Sequence, residues 1–440
     1  MNKASVRGQD WLETWDPENE ETWDSGRAWR TLWITTYSLS MGFATWFLVS
    51  AIAPKLNALG FDLSKNQLYW LAAMPGLSGG TLRLIWTFLP PILGTRKLVT
   101  FTTFLFIFPL VGWAIAVQNP DTPFYALLLL AALAGIGGGA FSGFMPSTSY
   151  FFPRSKQGTA LGIQAGIGNF GVSIVQFVTP LITGFALFGG VSQSLKNKEG
   201  SIEVWYQNAG YVWVPFVVIG VIVAWYFLRS VPVQARGIRD QFDIFSNKHT
   251  WIMTYLYVIT FGTFSGLAAA FALMIYNIYG SNVFGSQGIE PLRYAFLGAL
   301  IGSATRVLTG PLADKWGGAK LTVLSTLGIA ATSLYTSQFL SPTSADEFPK
   351  FLYGMLAIFF FAGVGNASTF KQMPMIFERR QAGRVIGWTS AIAAFGPFGF
   401  GVLLATIAPE LFFKMGGFFG LLAAIIAWWY YARPNAEMPS

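Results

Sequence analysis

Twelve apolar runs, each near the roughly 20 residues that cross a bilayer as a helix, dominate the chain. They fall into two sets of six, which begin near Leu32, Leu68, Leu98, Phe124, Ala160 and Val212, and near Trp251, Tyr294, Leu321, Phe351, Val385 and Leu411. Charged residues make up only 11% of the chain, whereas a soluble domain carries roughly a quarter. The runs therefore predict an all-α polytopic membrane protein whose surface faces lipid.

Polar segments divide this chain into domains. Residues 1–28 hold seven acids and no apolar core of a cleavable signal peptide, so we expect a cytoplasmic tail and targeting by the first helix. The most polar interior stretch, residues 230–249, is interpreted as a cytoplasmic linker. It separates a six-helix bundle at 29–229 from a second at 250–433, and a short tail follows at 434–440.

Basic residues mark one side of the predicted bundles. With both termini placed in the cytoplasm, the five cytoplasmic loops hold thirteen Lys or Arg and the external loops hold seven. Cytoplasmic loops of membrane proteins usually carry such an excess. We therefore expect a multi-pass protein of the cell inner (plasma) membrane with both termini cytoplasmic. The formal charge of +8 then reflects this asymmetry rather than a nucleic-acid partner.

Internal similarity relates the two sets of helices. Arg83 precedes Lys97 by fourteen residues through a Gly-containing turn, and Arg306 precedes Lys320 in the same way. Two further motifs recur, Met145-Pro146 as Met373-Pro374, and Gly158, Gly162, Phe170 and Gly171 as Gly383, Gly387, Phe395 and Gly396. Offsets of 223, 228 and 225 indicate two copies of one six-helix unit in the same orientation. Parallel six-helix repeats are the architecture of the major facilitator fold, whose substrate site lies between the repeats near the midplane.

Arg83 and Arg306 lie inside apolar runs, at equivalent places of the two repeats. A charged side chain at a helix centre costs roughly 2.5–3.5 kcal/mol on insertion scales, so each arginine needs a partner. Neutralisation by a mid-membrane carboxylate is excluded, because the acids fall in tails, loops and helix ends. Pairing with backbone carbonyls and snorkelling remain open. The interpretation we favour is two guanidinium groups that face a central cavity and clamp a small anion through their paired donors.

A glycine-rich fifth helix, GTALGIQAGIGNFGVSIVQ at 158–176, adds a neutral donor. Its glycines predict close helix packing, above all at Gly158, Gly162 and Gly166. Asn169 is either interhelical glue or a donor to the anion, and its chemistry alone favours neither. The run also fits GxGxxG, but no strand precedes it, so dinucleotide binding is rejected.

Several motifs spread over nearly the whole chain resemble one known family. They are AGIGNFGVSIVQ at 165–176 with its partner SAIAAFG at 390–396, the two arginines, WDPENEETW at 15–23, FFP at 151–153, and YLYVITFGTFSG at 255–266. Together they resemble the NarK-like nitrate/nitrite porters. The resemblance implies that both arginines grip nitrate or nitrite, that the fifth-helix Asn donates to it, and that aromatic rings sandwich it. The contacts implied in this way are Arg83, Arg306, Asn169, Tyr257, Phe261, Phe141 and Gly166. Without the resemblance, the aromatic residues would be read as ordinary packing.

Lys371 departs from the uncharged residue that antiporter-like members of this family carry in the tenth-helix run AGVGNASTFKQMPMIF. It lies seven residues before Glu378, roughly 10 Å along a helix axis. Snorkelling or pairing with Glu378 is one interpretation. The other is a buried lysine whose titratable charge carries a proton.

The function predicted from these features is alternating-access transport of nitrate in exchange for nitrite. Two unpaired arginines repel each other, so an empty carrier is costly, and no membrane carboxylate is present to carry a proton. Nitrate–proton symport through Lys371 is the alternative. A carrier of another small anion and a transporter-like sensor also remain open.

An enzyme is not expected. The chain has no Cys, no mid-membrane acid and a single His, His249, so no nucleophile or metal site can be assembled and no cofactor is expected. We expect a monomer in the lipid bilayer, with nitrate and nitrite as partners and protons added only in the symport alternative.

Overall fold

The computed structural model describes residues 10–21, 23–197, 200–232 and 243–440, apart from the side chains at 154, 196, 197, 314, 379 and 380. Six long helices form the first half of the chain. They are α1 (Ser25–Ile52), α2 (Lys65–Trp86), α3 (Pro90–Leu105 and Ile107–Ala116), α4 (Phe124–Ala134 and Ile136–Ser149), α5 (Arg154–Ile182) and α6 (Asn208–Tyr211 and Trp213–Phe227).

Six more helices form the second half. They are α7 (Lys248–Tyr257 and Thr263–Tyr279, joined by the π-helical turn Val258–Gly262), α8 (Leu292–Trp316), α9 (Gly318–Thr336), α10 (Phe348–Ile376), α11 (Arg379–Ala393 and Gly396–Thr406) and α12 (Pro409–Ala427, continued by the π-helical turn Trp428–Ala432). An antiparallel hairpin of β1 (Gln193–Asn197) and β2 (Gly200–Val204) stands between α5 and α6. The described loops add a four-residue helix, Ser281–Phe284, and 3₁₀ turns at Ala53–Lys55, Asn57–Leu59, 243–246, Gly285–Gln287, Ser337–Phe339 and Ala345–Glu347.

Every predicted apolar run lies within one of these helices, so the all-α polytopic fold is confirmed. In the described part of the chain, ten helices are long and apolar enough to cross a membrane. The 22-residue α2, which carries Lys65 and Arg83, and the 19-residue α9 complete the twelve.

The helix boundaries differ from the predicted domain limits in two places. Helix α1 begins at Ser25, inside the predicted tail, because Asp24 caps it by accepting from the Arg27 backbone N–H at 2.9 Å. Helix α7 begins at Lys248, inside the predicted linker, after Asn247 caps it in the same manner. Residues 233–242 of that linker lie outside the described residues.

Equivalent turns mark the two repeats. Gly94 follows α2 with a φ of 74°, and Gly317 follows α8 with a φ of 87°. These left-handed glycines are 223 residues apart, the same offset that relates Arg83 to Arg306. At Gly94 a Cβ would also lie 2.7 Å from the Ser230 Cβ, so glycine is needed for space as well as for its dihedral angle.

The two bundles meet along α2 with α11, α5 with α8, and α1 with α7. Because twelve spans return the chain to its starting side, both termini share one side, called here the tail side; the opposite one is the far side. Contacts between bundles concentrate toward the far side. They include the Lys55–Glu290 ion pair, the Phe177–Phe296 ring contact, and the bond from Gln176 Nε2 to the Ala268 carbonyl at 2.9 Å.

Toward the tail side the same helices are more widely spaced. A Cβ placed at Gly162 on α5, Gly310 on α8 or Gly383 on α11 would meet no described atom within 4 Å. The close packing expected at Gly162 is therefore wrong, because this residue lies on a face of α5 that the other bundle does not reach. The contacts between the bundles named above therefore lie on the far side, whereas these three positions of the tail side have open space beside them.

The N-terminal segment packs under the first bundle and joins two of the sequence motifs. The indole N–H groups of Trp15 and Trp23 donate to the carbonyls of Tyr150 and Phe151, each at 2.9 Å. The same rings pack against the phenylalanines of the FFP motif, with 5.3 Å between the ring centres of Trp15 and Phe151. WDPENEETW and FFP thus form one structural unit at the end of α4.

Candidate functional site

The two arginines from the repeats lie in the middle of the molecule, between the bundles. Arg83 on α2 is fully buried and Arg306 on α8 is 5% exposed. Both guanidinium groups lie over one aromatic ring, that of Phe261, whose centre is 5.4 Å from the Arg83 Cζ and 5.9 Å from the Arg306 Cζ. The predicted juxtaposition of the two positive charges is present in the structure.

Two of the three donor groups of Arg83 are held by backbone carbonyls. Its Nε donates to Gly138 O on α4 at 2.9 Å, and its Nη1 donates to Ser390 O on α11 at 2.8 Å. Its Nη2 is buried and has no hydrogen-bond partner among the described residues. Pairing with carbonyls, which the sequence left open, thus holds for two donor groups. The expected free fork is therefore only partly available at Arg83, because Nε and one N–H of Nη1 are held by carbonyls, whereas both N–H groups of Nη2 have no partner among the described residues.

Breaks in two helices place these carbonyls. Helix α4 is interrupted at Gly135, one turn before Gly138. Helix α11 is interrupted at Ala394 and Phe395, just before Pro397, which has no N–H to continue the helical ladder. Ser390 lies in the last turn before that interruption, and its carbonyl accepts from the Ala394 N–H at 3.2 Å as well as from Arg83 Nη1.

Arg306 is held by side chains instead. Its Nη2 donates to the Tyr257 hydroxyl at 3.4 Å. In the amide orientation that satisfies both groups, Asn169 Oδ1 accepts from Arg306 Nη1 at 3.2 Å and its nitrogen donates to Ala165 O at 3.3 Å. Asn169 therefore reaches the site from α5, as expected, and in this state its oxygen faces the arginine.

Aromatic rings enclose both guanidinium groups. Phe141 lies 4.5 Å from the Arg83 Cζ, and Tyr257 and Phe261 stack at 5.3 Å with 5° between their planes. The π-helical turn of α7 contains Phe261 and follows Tyr257 directly, so a local widening of the helix accompanies the pair. These three predicted aromatic residues are all brought to the arginines.

Phe370 on α10 is a site residue that the sequence did not reveal. Its ring lies 5.4 Å from the Arg306 Cζ and 5.7 Å from the Tyr257 ring. It also contacts Phe141 of the other bundle at 6.5 Å. A signal was available: the 228-residue offset between the Met-Pro motifs places Phe370 opposite Ser142, next to Phe141.

Gly166 acts through packing rather than through a polar group. A Cβ at this position would lie 2.5 Å from Val307 Cγ2, which is on α8 beside Arg306. The absent side chain lets α5 approach α8 across the bundle interface. Gly166 thereby helps Asn169, one turn later, to reach Arg306.

Lys371 is exposed rather than buried. It shares one face of the end of α10 with Pro374, Met375 and Glu378, which are also exposed. The protein therefore does not enclose Lys371 as the symport interpretation expects, because the helix turns this position away from its packed face.

Charge in the site has one sign. The described side chains that contact either guanidinium group are aromatic or neutral polar, and no group of His, Asp and Glu in the described residues could hold a metal ion. Two buried positive charges without a carboxylate create a site that favours an anion.

Comparison with known proteins fits this architecture. The family model of the Major Facilitator Superfamily matches residues 34–389. The chain belongs to this superfamily. Among solved structures of it, the chain resembles one titled "Inward open conformation of the xylose transporter XylE from E. coli", with a TM-score of 0.63 and 17% identity over 90% of this chain and 95% of that chain. That likeness confirms the fold.

Relatives within the superfamily are closer in sequence. The chain is 58% identical to "Probable nitrate/nitrite antiporter NarK2" of Thermus thermophilus, over 98% of both proteins. It is 34% identical to "Nitrate/nitrite transporter NarU" of Escherichia coli K12, over 96% of both. The resemblance to NarK-like porters is thus confirmed, and these major facilitator relatives carry the names of transporters rather than of enzymes.

Proposed function

We propose that this protein carries nitrate and nitrite across the membrane by alternating access and exchanges one for the other. The observation that carries the proposal is a buried Arg83–Arg306 pair that, within the described part of the chain, leaves the Arg83 Nη2 without a partner and contacts no carboxylate. The names of the relatives point to the same pair of anions.

The geometry suits a small planar anion. Its oxygens can accept from Arg83 Nη2 and from Arg306, and charge-assisted bonds of this kind are the stronger ones. The rings of Phe141 and Phe261 offer flat faces above and below such an ion. Asn169 accepts from Arg306 in the amide orientation that satisfies both groups, so we propose that its amide turns to present the nitrogen when an anion binds.

The closed far side supports alternating access. The excess of Lys and Arg in the loops of the tail side favours a cytoplasmic position for that side, so we propose that the contacts of the far side close the carrier toward the outside. An anion would reach the arginines from the cytoplasmic side after a small separation of the parted helices. One chain contains both arginines and every ring around them, so we propose a monomer in the inner membrane with both termini cytoplasmic.

Exchange is favoured over proton symport because the proposed proton carrier is exposed. Lys371 is exposed at the end of α10, so packing inside the protein does not drive it to release a proton. The test is uptake of labelled nitrate by the purified protein in proteoliposomes. Uptake is expected when nitrite or nitrate is inside, and little uptake when no anion is inside, at any pH gradient. Accumulation driven by an acid exterior, with no anion inside, would overturn exchange in favour of symport.

Substrate identity is tested in the same vesicles. Unlabelled nitrate and nitrite should compete with the label, whereas phosphate and sugar phosphates should not. Competition by phosphate esters at similar concentrations would reassign the site to a different anion.

A further inference from the structure

Trp46 lies directly beneath Arg83 and has no assigned role. It is on α1, is 2% exposed, and its ring centre is 5.2 Å from the Arg83 Cζ. The indole N–H donates to the Pro75 carbonyl on α2 at 2.8 Å. Phe43 and Phe47 pack against the same ring at 5.4 and 4.9 Å. The indole is therefore fixed on several sides before it meets the guanidinium.

Two glycines form a slot for this indole. A Cβ at Gly79 on α2 would lie 2.9 Å from the Trp46 Nε1, and a Cβ at Gly138 on α4 would lie 2.6 Å from its Cε2. Gly79 is one turn before Arg83 on the same helix, and Gly138 supplies the carbonyl that accepts from the Arg83 Nε. The slot and the arginine are thus built from the same two helices.

Arg306 has no comparable support. Its contacts are the side chains of Asn169 and Tyr257 and the rings of Phe261 and Phe370, which belong to the ligand site itself. Arg83 instead has two backbone carbonyls at fixed positions, and a tryptophan against its face. The two repeats therefore hold their arginines by different means.

We propose that Trp46 is a positioning residue that fixes the plane of the Arg83 guanidinium, so that Nη2 points into the anion site. Two carbonyl bonds set the place of the guanidinium, and the indole face limits its tilt. Arg83 is then the rigid half of the clamp, and Arg306 is the adjustable half that adapts to nitrate or nitrite. This inference rests on the proposed function of the site.

The test compares variants that leave Arg83 and its two carbonyls in place. Trp46→Leu removes the aromatic face, and Trp46→Phe retains a smaller one. The cation–π contact with Trp46 stabilises the orientation of the Arg83 guanidinium. Its loss should therefore raise the KM for nitrate about 3- to 30-fold, with a smaller change in the maximal exchange rate. Trp46→Phe should recover part of this loss. Gly79→Ala, which pushes the indole from its slot, should raise the KM in the same direction.

Gly143→Ala is the matched control for Gly79→Ala. A Cβ there would lie 3.0 Å from Cδ1 of Trp86, a partly buried indole that donates to Thr102 Oγ1 and is not among the rings over which Arg83 lies in the described part of the chain. This control should leave the KM unchanged even if it lowers the melting temperature. The melting temperature of each purified variant distinguishes a loss of folding from a displacement of the Arg83 guanidinium.

Three outcomes decide the inference. An unchanged KM in Trp46→Leu, or an equal rise in Gly143→Ala, overturns it. If Trp46→Leu does not fold, Gly79→Ala with its control gives the decision. Vesicles with the native protein distinguish the proposed function from the role of Trp46. If they do not exchange nitrate, the proposed function is overturned. If they exchange nitrate normally and the variants are unaffected, only the role of Trp46 is overturned.

Discussion

Replacement of Arg83 by lysine separates charge from geometry at the centre of the site. The guanidinium spans three partners at once: Gly138 O at 2.9 Å, Ser390 O at 2.8 Å, and the ligand position in front of Nη2. An ammonium group keeps the positive charge but places its donors around a single nitrogen. Arg83→Lys therefore retains the long-range attraction for an anion and loses at least one of the three bonds.

The size of the effect follows from the kind of bond lost. A hydrogen bond to a charged group contributes about 1.5–3 kcal/mol, so loss of the anion bond should weaken nitrate binding about 10- to 150-fold. If the lysine keeps the anion bond instead, the lost bond is one to a carbonyl. Because Ser390 belongs to the other bundle, that loss should appear as a lower melting temperature.

Calorimetric titration of nitrate and thermal unfolding of the purified protein measure both effects. Arg306→Lys is the comparison, since Arg306 is held by the side chains of Tyr257 and Asn169 and donates to no backbone carbonyl among the described residues. It should weaken binding to a similar degree with a smaller loss of stability. Native affinity and native melting temperature in Arg83→Lys would refute the assignment of Arg83 as both ligand and cross-bundle contact.

Further predictions concern α5 and α10. Asn169→Ala should weaken nitrate binding by about 1–3 kcal/mol in the same titration, because a hydrogen bond to a charged group is lost. A native affinity in this variant would mean that the Asn169 amide only joins the helices and does not contact the anion. Gln176→Leu removes the cross-bundle bond to Ala268. The rate at which an impermeant maleimide labels a cysteine introduced at the far-side interface should therefore rise about 2- to 10-fold. A labelling rate that is unchanged, and equal to that of the control Gln164→Leu, would contradict this. Lys371→Gln should leave nitrate/nitrite counterflow near its native rate. If the native protein accumulates nitrate under an acid exterior and Lys371→Gln loses this accumulation, the symport alternative is restored.

The number of helices and their repeat could be predicted from the sequence because both depend on composition and spacing. Apolar runs of bilayer length leave few other folds, and the 223-residue offset of the arginines reappears in the left-handed glycines Gly94 and Gly317. The same offset brought Arg83 and Arg306 to one depth between the bundles. The depth of a residue along its helix follows directly from the number of residues that separate it from the helix end.

Rotation about the helix axis and local breaks could not be predicted in the same way. Lys371 and Phe370 are adjacent in sequence, yet one is exposed and the other lies at Arg306. Gly162 and Gly166 are one turn apart on α5, yet only Gly166 touches the other bundle. Such differences depend on where two bundles meet, which no single helix pattern encodes.

The carbonyl partners of Arg83 change the argument for exchange. Two unpaired arginines would make an empty carrier costly through repulsion alone, but Arg83 is not unpaired. Its bond to Ser390 O joins α2 of the first bundle to α11 of the second. This bond stabilises the arrangement in which α2 meets α11, and a cost appears when the bundles move apart and the bond breaks.

A bound anion alters this cost because it offers Arg83 and Arg306 shared acceptor oxygens that can remain between the bundles while they move. The loaded carrier then changes state without exposing an unsatisfied guanidinium, whereas the empty carrier loses the Ser390 bond with nothing in exchange. A buried donor left without a partner costs about 1–3 kcal/mol, and more when charged. If this free energy is lost in the transition state, the carrier without an anion returns across the membrane about 5- to 150-fold more slowly than the carrier exchanges anions. The ratio of labelled nitrate efflux with and without external nitrite measures it directly, and equal rates would mean that the Ser390 contact survives the movement.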